Sequence, residues 1–295
     1  MKMHRLMAVA AAAVLALGVA GCGGGSSDTS ANPAVDTSAS FAAGTTMAKL
    51  NKAQSIRIGT KFDQPLFGLK GLDGKPAGFD VEIAEVIAGK LGIPASKIQW
   101  VETPSKVRED YLAQDRVDLV VATYTINGER KKKVDFAGPY YMAGQDIMVK
   151  KGDSSITGPE SFRSGDKKVC SVTGSTPAGK IREYLKDPAS QLVLFDVYSK
   201  CADALRTGQV DAVTTDNVIL LGLVDQSKGA FQLVGKPFTQ EPYGIGLRKG
   251  DTAFRSFVDD TLEAAQKDGS YARAWKDTAG KVDAQTPTLP TIDRY

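Results

Sequence analysis

Two stretches about ninety residues apart repeat one local grammar, and they constrain the chain more than any other feature. Tyr111-Leu112-Ala113-Gln114-Asp115-Arg116 runs into Val117-Asp118-Leu119-Val120-Val121-Ala122-Thr123. Ala204-Leu205-Arg206-Thr207-Gly208-Gln209 runs into Val210-Asp211-Ala212-Val213-Thr214-Thr215-Asp216. Each is a helix end, a tight turn, and a strand that opens Val-Asp and turns polar at its carboxyl end. From residue 54 onward, short apolar runs alternate with amphipathic stretches of helix length, the pattern of an α/β fold with parallel strands. Ligands of open α/β sheets bind outside the carboxyl ends of strands. Two such ends predict two α/β lobes facing one cleft, and 295 residues suffice for each lobe to bury its own core. Two unrelated strands would match as loosely, so the repeat does not by itself establish a duplication.

Residues 56–59 and 98–101 read as strands, and residues 117–122 as a buried one. Asp80 reads as the N-cap of a helix that carries Val81, Ala84, Ile87, Ala88 and Leu91 on one face and ends at Gly92. Phe254, Phe257, Val258, Leu262 and Ala265 stand at helical spacing and read as core. The expected division is lobe 1 at residues 46–145 and 240–280, lobe 2 at 146–239, and a frayed or peripheral tail at 281–295.

The first residues have their own logic. Lys2 and Arg5 precede an apolar stretch at residues 6–20, the order of a secretory signal, and the stretch is short for a membrane span. Val19-Ala20-Gly21-Cys22 resembles the bacterial lipobox, which implies a signal peptide at residues 1–21 and a diacylglyceryl group on Cys22. Acyl chains at about 0.8 kcal/mol per buried methylene anchor a protein stably when two or more are present. Residues 22–45, rich in Gly, Ser, Thr and Ala, read as a flexible tether.

The single histidine is His4, inside that signal, so the mature chain would contain none. This excludes Ser-His-Asp and Cys-His catalysis and every histidine-liganded metal site; no metal and no cofactor are expected. Loss of Lys2 and Arg5 leaves 35 basic against 34 acidic residues, a balance that gives no reason to expect nucleic acid. Cys170 and Cys201 then remain, an even number in an exported chain. They predict a disulfide worth roughly 3–4 kcal/mol in the chain-entropy model, the alternative being two buried thiols.

Several segments, in order, resemble the family 3 extracellular solute-binding proteins of polar amino-acid ABC importers. They are Gly78-Phe79-Asp80-Val81-Glu82-Ile83-Ala84, Thr125-Ile126-Asn127-Gly128-Glu129-Arg130, Asp135-Phe136-Ala137-Gly138-Pro139-Tyr140, Val172-Thr173-Gly174-Ser175-Thr176, Tyr243-Gly244-Ile245 and Asp268-Gly269-Ser270-Tyr271. The likeness covers about residues 54–278. Thr60-Lys61-Phe62-Asp63-Gln64-Pro65, Gly174-Ser175-Thr176-Pro177-Ala178 and the cysteine pair are similar to the actinobacterial glutamate-binding lipoproteins. The resemblance implies a type II periplasmic-binding-protein fold, two α/β lobes joined by a two-segment hinge with the ligand between them. It implies an ABC permease as the membrane partner, a lipid-anchored extracytoplasmic location, and a monomer. Asn127 departs from the pattern, which often has a second Thr there.

The resemblance makes Arg130 the ligand of an α-carboxylate, its planar fork suited to both oxygens, and Asp216, next to Thr215, the ligand of the ammonium. Thr125 and the carbonyl of Thr123 would complete that recognition. Read alone, Arg130 heads a basic run of the kind that usually faces solvent, and Asp216 would equally well cap the following helix. Ser175 and Thr176 precede Pro177 and a helix through Leu185, so their free amides would attract an anion, or they form an ordinary cap. Lys61 and Arg108 are the cations expected at the ligand's side chain, since relatives that bind acidic amino acids place cations at similar positions. They favour glutamate, with glutamine and aspartate behind it. Two other functions use the same fold: a periplasmic dehydratase working through Asp216, Glu102 or Glu241, and a subunit that reports amino acids to a membrane sensor.

Overall fold

The computed structural model describes residues 33–295. The signal segment, His4, Cys22 and the tether up to residue 32 lie outside the described residues. Two five-stranded sheets organise the rest. The first runs in the order Ile98–Glu102, Ile56–Thr60, Leu119–Thr125, Glu241–Leu247, Asp135–Ala143. The second runs Leu192–Phe195, Val169–Val172, Ala212–Asp216, Gln145–Lys150, Phe231–Leu233. In both, the first two joins are parallel and the last two antiparallel. The sheets are therefore mixed rather than parallel throughout. The reason is connectivity: the chain crosses between sheets twice, after Ala143 and before Glu241, and the crossing strands run against their neighbours.

The repeated Val-Asp strands take the same third place in their sheets, and their aspartates do the same work. Asp118 Oδ2 accepts the Arg57 N–H at 2.8 Å while the Asp118 N–H returns to the Arg57 carbonyl. Asp211 Oδ2 accepts the Lys168 N–H at 2.7 Å while the Asp211 N–H returns to the Lys168 carbonyl. Each carboxylate thus satisfies a strand-entry amide that the ladder leaves open. Because Leu119–Thr125 is buried along its whole length, it reads as an unbroken apolar and threonine run.

The helices Phe79–Lys90, Thr252–Asp268 and Ser270–Asp277 cover the first sheet. Phe67, Phe79, Tyr141 and Trp275 pack at its centre, with Tyr141 stacked on Trp275 at 5.4 Å between ring centres. The second sheet packs against Tyr198–Thr207 and Asn217–Gln226. Cys170 and Cys201 form a disulfide inside that core.

Two expectations need correction, and a third leaves two alternatives. Asp80 is not the N-cap of its helix; Gly78 holds that position without a side-chain bond, and Asp80 points inward, fully buried. Residues 33–45 are not a flexible tether. The Asp36 N–H bonds the Gly89 carbonyl at 2.9 Å and Phe41 packs edge-on against Phe257 at 5.4 Å. The tail at 281–295, expected to be frayed or peripheral, is peripheral and held to the surface rather than frayed. The Asp293 N–H bonds the Gly138 carbonyl at 2.8 Å, and the Tyr295 ring lies between Lys131 Nζ at 3.8 Å and the Arg255 guanidinium at 3.9 Å. A ring between two cations anchors a chain end that carries no periodic pattern.

Candidate functional site

The carboxyl ends of the parallel strands converge on one pocket. Lobe 1 contributes Gln64, Ser105, Arg108, Thr123 and Thr125; lobe 2 contributes Ser175, Thr176, Pro177, Tyr198, Thr215, Asp216 and Ile219. Only Pro177 and Ile219 bring wholly apolar side chains, an unusual lining in a class of site that is mostly apolar. Of the nine residues expected to bind ligand, seven line this pocket. Lys61 and Arg130 stand immediately behind the lining.

On the lobe 1 side, Thr123 adopts φ +46°, a left-handed backbone that is costly for a β-branched residue. Asp80 holds it there: Oδ2 accepts the Thr123 N–H at 2.7 Å and Oδ1 accepts the Tyr140 hydroxyl at 2.6 Å. The Thr123 hydroxyl lies 2.8 Å from the Ala122 carbonyl and 3.0 Å from Gln64 Oε1, and the Gln64 amide nitrogen is buried and without a partner. Arg108 is 2% exposed. Its Nη1 donates to the Ala122 carbonyl at 2.9 Å, its guanidinium lies 4.1 Å from the Tyr124 ring centre, and its Nε has no partner. Lys61 is also buried, donating to Ser105 Oγ at 2.8 Å. Burial, and then the charge of Arg108, pulls its ammonium down to about 7.

Arg130 spans the cleft. Nη1 donates to the Thr125 carbonyl at 2.7 Å, Nη2 to the lobe 2 carbonyl of Gly174 at 3.1 Å, and Nε lies 3.2 Å from Glu109 Oε1. Three of its five N–H groups are thus engaged and two remain. It is buried, so the solvated-run reading fails for it, while Lys132 and Lys133 are exposed as that reading has it. Asn127, the departure from the family pattern, caps the short helix Gly128–Lys131 by accepting the Arg130 N–H at 2.9 Å, and so orients the arginine.

On the lobe 2 side, Ser175 is an ordinary cap, its hydroxyl accepting the Ala178 N–H at 3.1 Å. The α-helix it starts runs only from Thr176 to Lys180 before tightening into a 3₁₀ turn, shorter than expected, so little dipole gathers at its start. Thr176 faces the pocket; its hydroxyl donates to Glu241 Oε2 at 2.8 Å and lies 3.3 Å from that of Thr125 across the cleft. Asp216 occupies the N-cap position of Asn217–Gln226 but makes no capping bond. Its Oδ2 accepts the Tyr243 hydroxyl at 2.7 Å, and its buried Oδ1 has no partner. Burial, with Glu241 close by, pushes this carboxyl up to about 7.

Buried polar groups are normally satisfied, so unpartnered ones that share a lining carry information. Gln64 Nε2, Arg108 Nε, the Tyr198 and Thr215 hydroxyls and Asp216 Oδ1 are all unpartnered, and all five residues line this pocket. One anionic acceptor faces several donors, the complement of a small molecule that carries both an ammonium and carboxylate oxygens. Gln64, Ser105, Glu109, Tyr124 and Tyr198 were not foreseen. Ser105 and Glu109 flank Arg108 and Gln64 follows Lys61 closely, which is a usable signal; Tyr198 offers none. Among the described residues no group of acidic, cysteine or histidine side chains is placed to hold a metal ion.

The family model of bacterial extracellular solute-binding proteins, family 3, matches residues 56–277. The chain belongs to this family. It is 40% identical over 236 residues to the glutamate-binding protein GluB of Corynebacterium efficiens, covering 77% of this chain and 79% of that one. It is 39% identical over 276 residues to the ABC transporter glutamine-binding protein GlnH of Bacillus subtilis, covering 93% and 96%. Among solved structures, an ancestral arginine-binding protein bound to arginine superposes with a TM-score of 0.71 at 37% identity, over 76% of this chain and 98% of that one. The two-lobed α/β architecture of this family 3 solute-binding protein is the type II periplasmic-binding-protein fold, and the family is extracellular.

The buried acids of this solute-binding protein give it a distinctive response to pH. Burial pushes the Asp80 and Asp216 carboxyls up from the ordinary 3.8 to about 7 in the folded state, which therefore binds more protons in between. Their contribution to stability is full below about pH 4 and is lost as pH rises through about 7. Lys61, lowered from 10.5 to about 7, contributes in the opposite sense: fully above 10.5, and lost as pH falls through about 7. The melting temperature of the ligand-free protein is therefore expected to fall from about pH 5 to about pH 7 by scanning calorimetry, and Asp216→Asn should shallow that fall. A melting temperature that climbs across the same interval would contradict it.

Proposed function

We propose that this protein captures glutamate between its lobes and delivers it to an ABC importer, tethered to the membrane by lipid on Cys22. The observation that carries this reading is the set of unpartnered polar atoms on one pocket, with a buried carboxylate on lobe 2 facing buried cations on lobe 1. Asp216 takes the α-ammonium, Arg130 with Thr125 and Thr176 takes the α-carboxylate, and Arg108 with Lys61, Ser105 and Gln64 takes the side-chain carboxylate. A ligand that touches both lobes has higher affinity for their closed arrangement and draws the population into it. Relatives named as glutamate-binding and glutamine-binding proteins support an amino-acid ligand of this kind.

Glutamate is favoured over glutamine by the cations. An anionic oxygen beside Lys61 restores its charge, whereas a neutral amide leaves Arg108 uncompensated and gives Lys61 no anion to hold its proton. Lys61→Ala should accordingly weaken glutamate by about tenfold or more and glutamine by less than about threefold. Equilibrium dialysis of labelled glutamate with unlabelled glutamine as competitor reads both. Equal losses would remove the assignment of the side-chain end.

The chain does not act as an enzyme in this reading. Glu102 is exposed at its strand end and Glu241 is taken up by the Thr176 and Thr239 hydroxyls. Asp216 is left without the acid or base partner that proton transfer needs. The pocket would serve a sensing subunit equally well; delivery to a permease is preferred because GlnH of B. subtilis is named as an ABC transporter component.

A further inference from the structure

We infer that Asp63 and Gly222 are positioning residues of the binding site: residues 63–65 of lobe 1 seat in a notch of lobe 2 and hold Lys61 and Gln64 over the ligand, so the fit of this segment sets how long the ligand stays. The inference rests on the capture reading above and adds contacts that no ligand atom makes.

Two independent observations define the notch. The helix Tyr198–Thr207 opens with a free amide, since its N-cap, Val197, has no side-chain acceptor. Asp63 supplies one from the other lobe, its Oδ2 accepting the Tyr198 N–H at 2.7 Å. A carboxylate at a helix start meets both an unsatisfied donor and the positive end of the dipole. The helix it caps begins with the residue whose side chain lines the pocket, and the strand Asp63–Gln64 that supplies the cap also carries Gln64 into it.

The second observation is a glycine where a helix would otherwise disfavour one. Gly222 sits inside Asn217–Gln226, and a Cβ there would lie 2.5 Å from the Pro65 carbonyl oxygen and 3.0 Å from its carbon. Backbone cannot give way as a flexible side chain does, so the approach of residues 63–65 requires glycine at this position. On the rim, Lys106 Nζ meets Asp196 Oδ1 at 2.7 Å; both are exposed, and the pair adds little. The loop that bears Lys61 and Gln64 is thus held by a cap on one helix of lobe 2 and by a close backbone approach to the next.

Gly222→Ala separates this role from simple structural support, because alanine favours the helix it enters while obstructing the seat. The ligand-free melting temperature should hold or rise. The glutamate dissociation rate, by stopped flow, should increase about tenfold with the association rate within about twofold. Asp63→Ala should do likewise, and Asp63→Asn, which keeps an oxygen acceptor, should stay within about threefold of the wild type. Dissociation rates for both Gly222→Ala and Asp63→Ala within about twofold of the wild type would overturn the inference. A wild-type protein that binds no amino acid would count against the capture reading alone. The seat is then read by fluorescence transfer between dyes on the two lobes without ligand. A lower closed fraction in Gly222→Ala supports it, and equal fractions overturn it.

Discussion

Replacing Asp216 with asparagine is expected to weaken binding of every α-amino acid by about a hundredfold or more, while leaving the ligand-free protein as stable as before or more so. The two effects share one cause. Asp216 is 3% exposed, and one of its oxygens is occupied by Tyr243 while the other has no partner. An unpaired carboxylate in that position is costly in the free protein and is compensated only when a cation arrives. Asparagine removes the cost together with the attraction. Calorimetric titration against glutamate, glutamine and aspartate, paired with thermal scanning, reads both quantities on one preparation. Unchanged affinity would mean that the ammonium does not meet Asp216, and a large loss of stability would mean that the residue serves the fold instead.

Arg130→Ala should go further and remove measurable binding, a loss beyond about a thousandfold. Arg130 supplies the two free N–H groups assigned to the α-carboxylate, and it also links Thr125 of lobe 1 to Gly174 of lobe 2. The alanine variant additionally leaves Glu109 without its cation, so part of the loss would come from repulsion of the incoming carboxylate. Arg130→Lys distinguishes geometry from charge. It keeps a cation but not a planar fork, and should bind weakly yet detectably, with all polar amino acids reduced alike. Retention of near wild-type affinity in Arg130→Ala would show that the arginine only bridges the lobes.

How much of this was legible in the sequence depends on how local each determinant is. The two Val-Asp strands announced two lobes because strand polarity and helix periodicity are written in neighbouring residues. Their aspartates proved to act across the chain, on Arg57 and Lys168, a role no window of sequence displays. Arg108 looked like one cation among many; it is buried because Tyr124 and the Ala122 carbonyl, more than ten residues on, receive its guanidinium. Asp80 has the composition and place of an N-cap, yet tertiary demand overrides that use: a left-handed Thr123 needs its amide held. The same holds for the tail, where Tyr295 finds Lys131 and Arg255 only after folding. Asn127 is the opposite case. It departs from the family pattern but obeys the local rule for a helix start, and its cap on the Arg130 amide was readable from propensity alone.

Tyr198 and Gly222 mark the limit of that legibility. Neither belongs to a motif, and both owe their importance to the other lobe, through Asp63 and Pro65 respectively. Contacts made only when two lobes meet leave no periodic trace in either one.

The central claim, that the cleft is an amino-acid site tuned to an acidic side chain, is tested most directly by isothermal titration of the wild-type protein with glutamate, aspartate, glutamine and lysine under one buffer. The account predicts one site per chain, glutamate binding tightest, glutamine weaker by about tenfold or more, and lysine not at all. No heat of binding with any of the four, or lysine binding as tightly as glutamate, would contradict it.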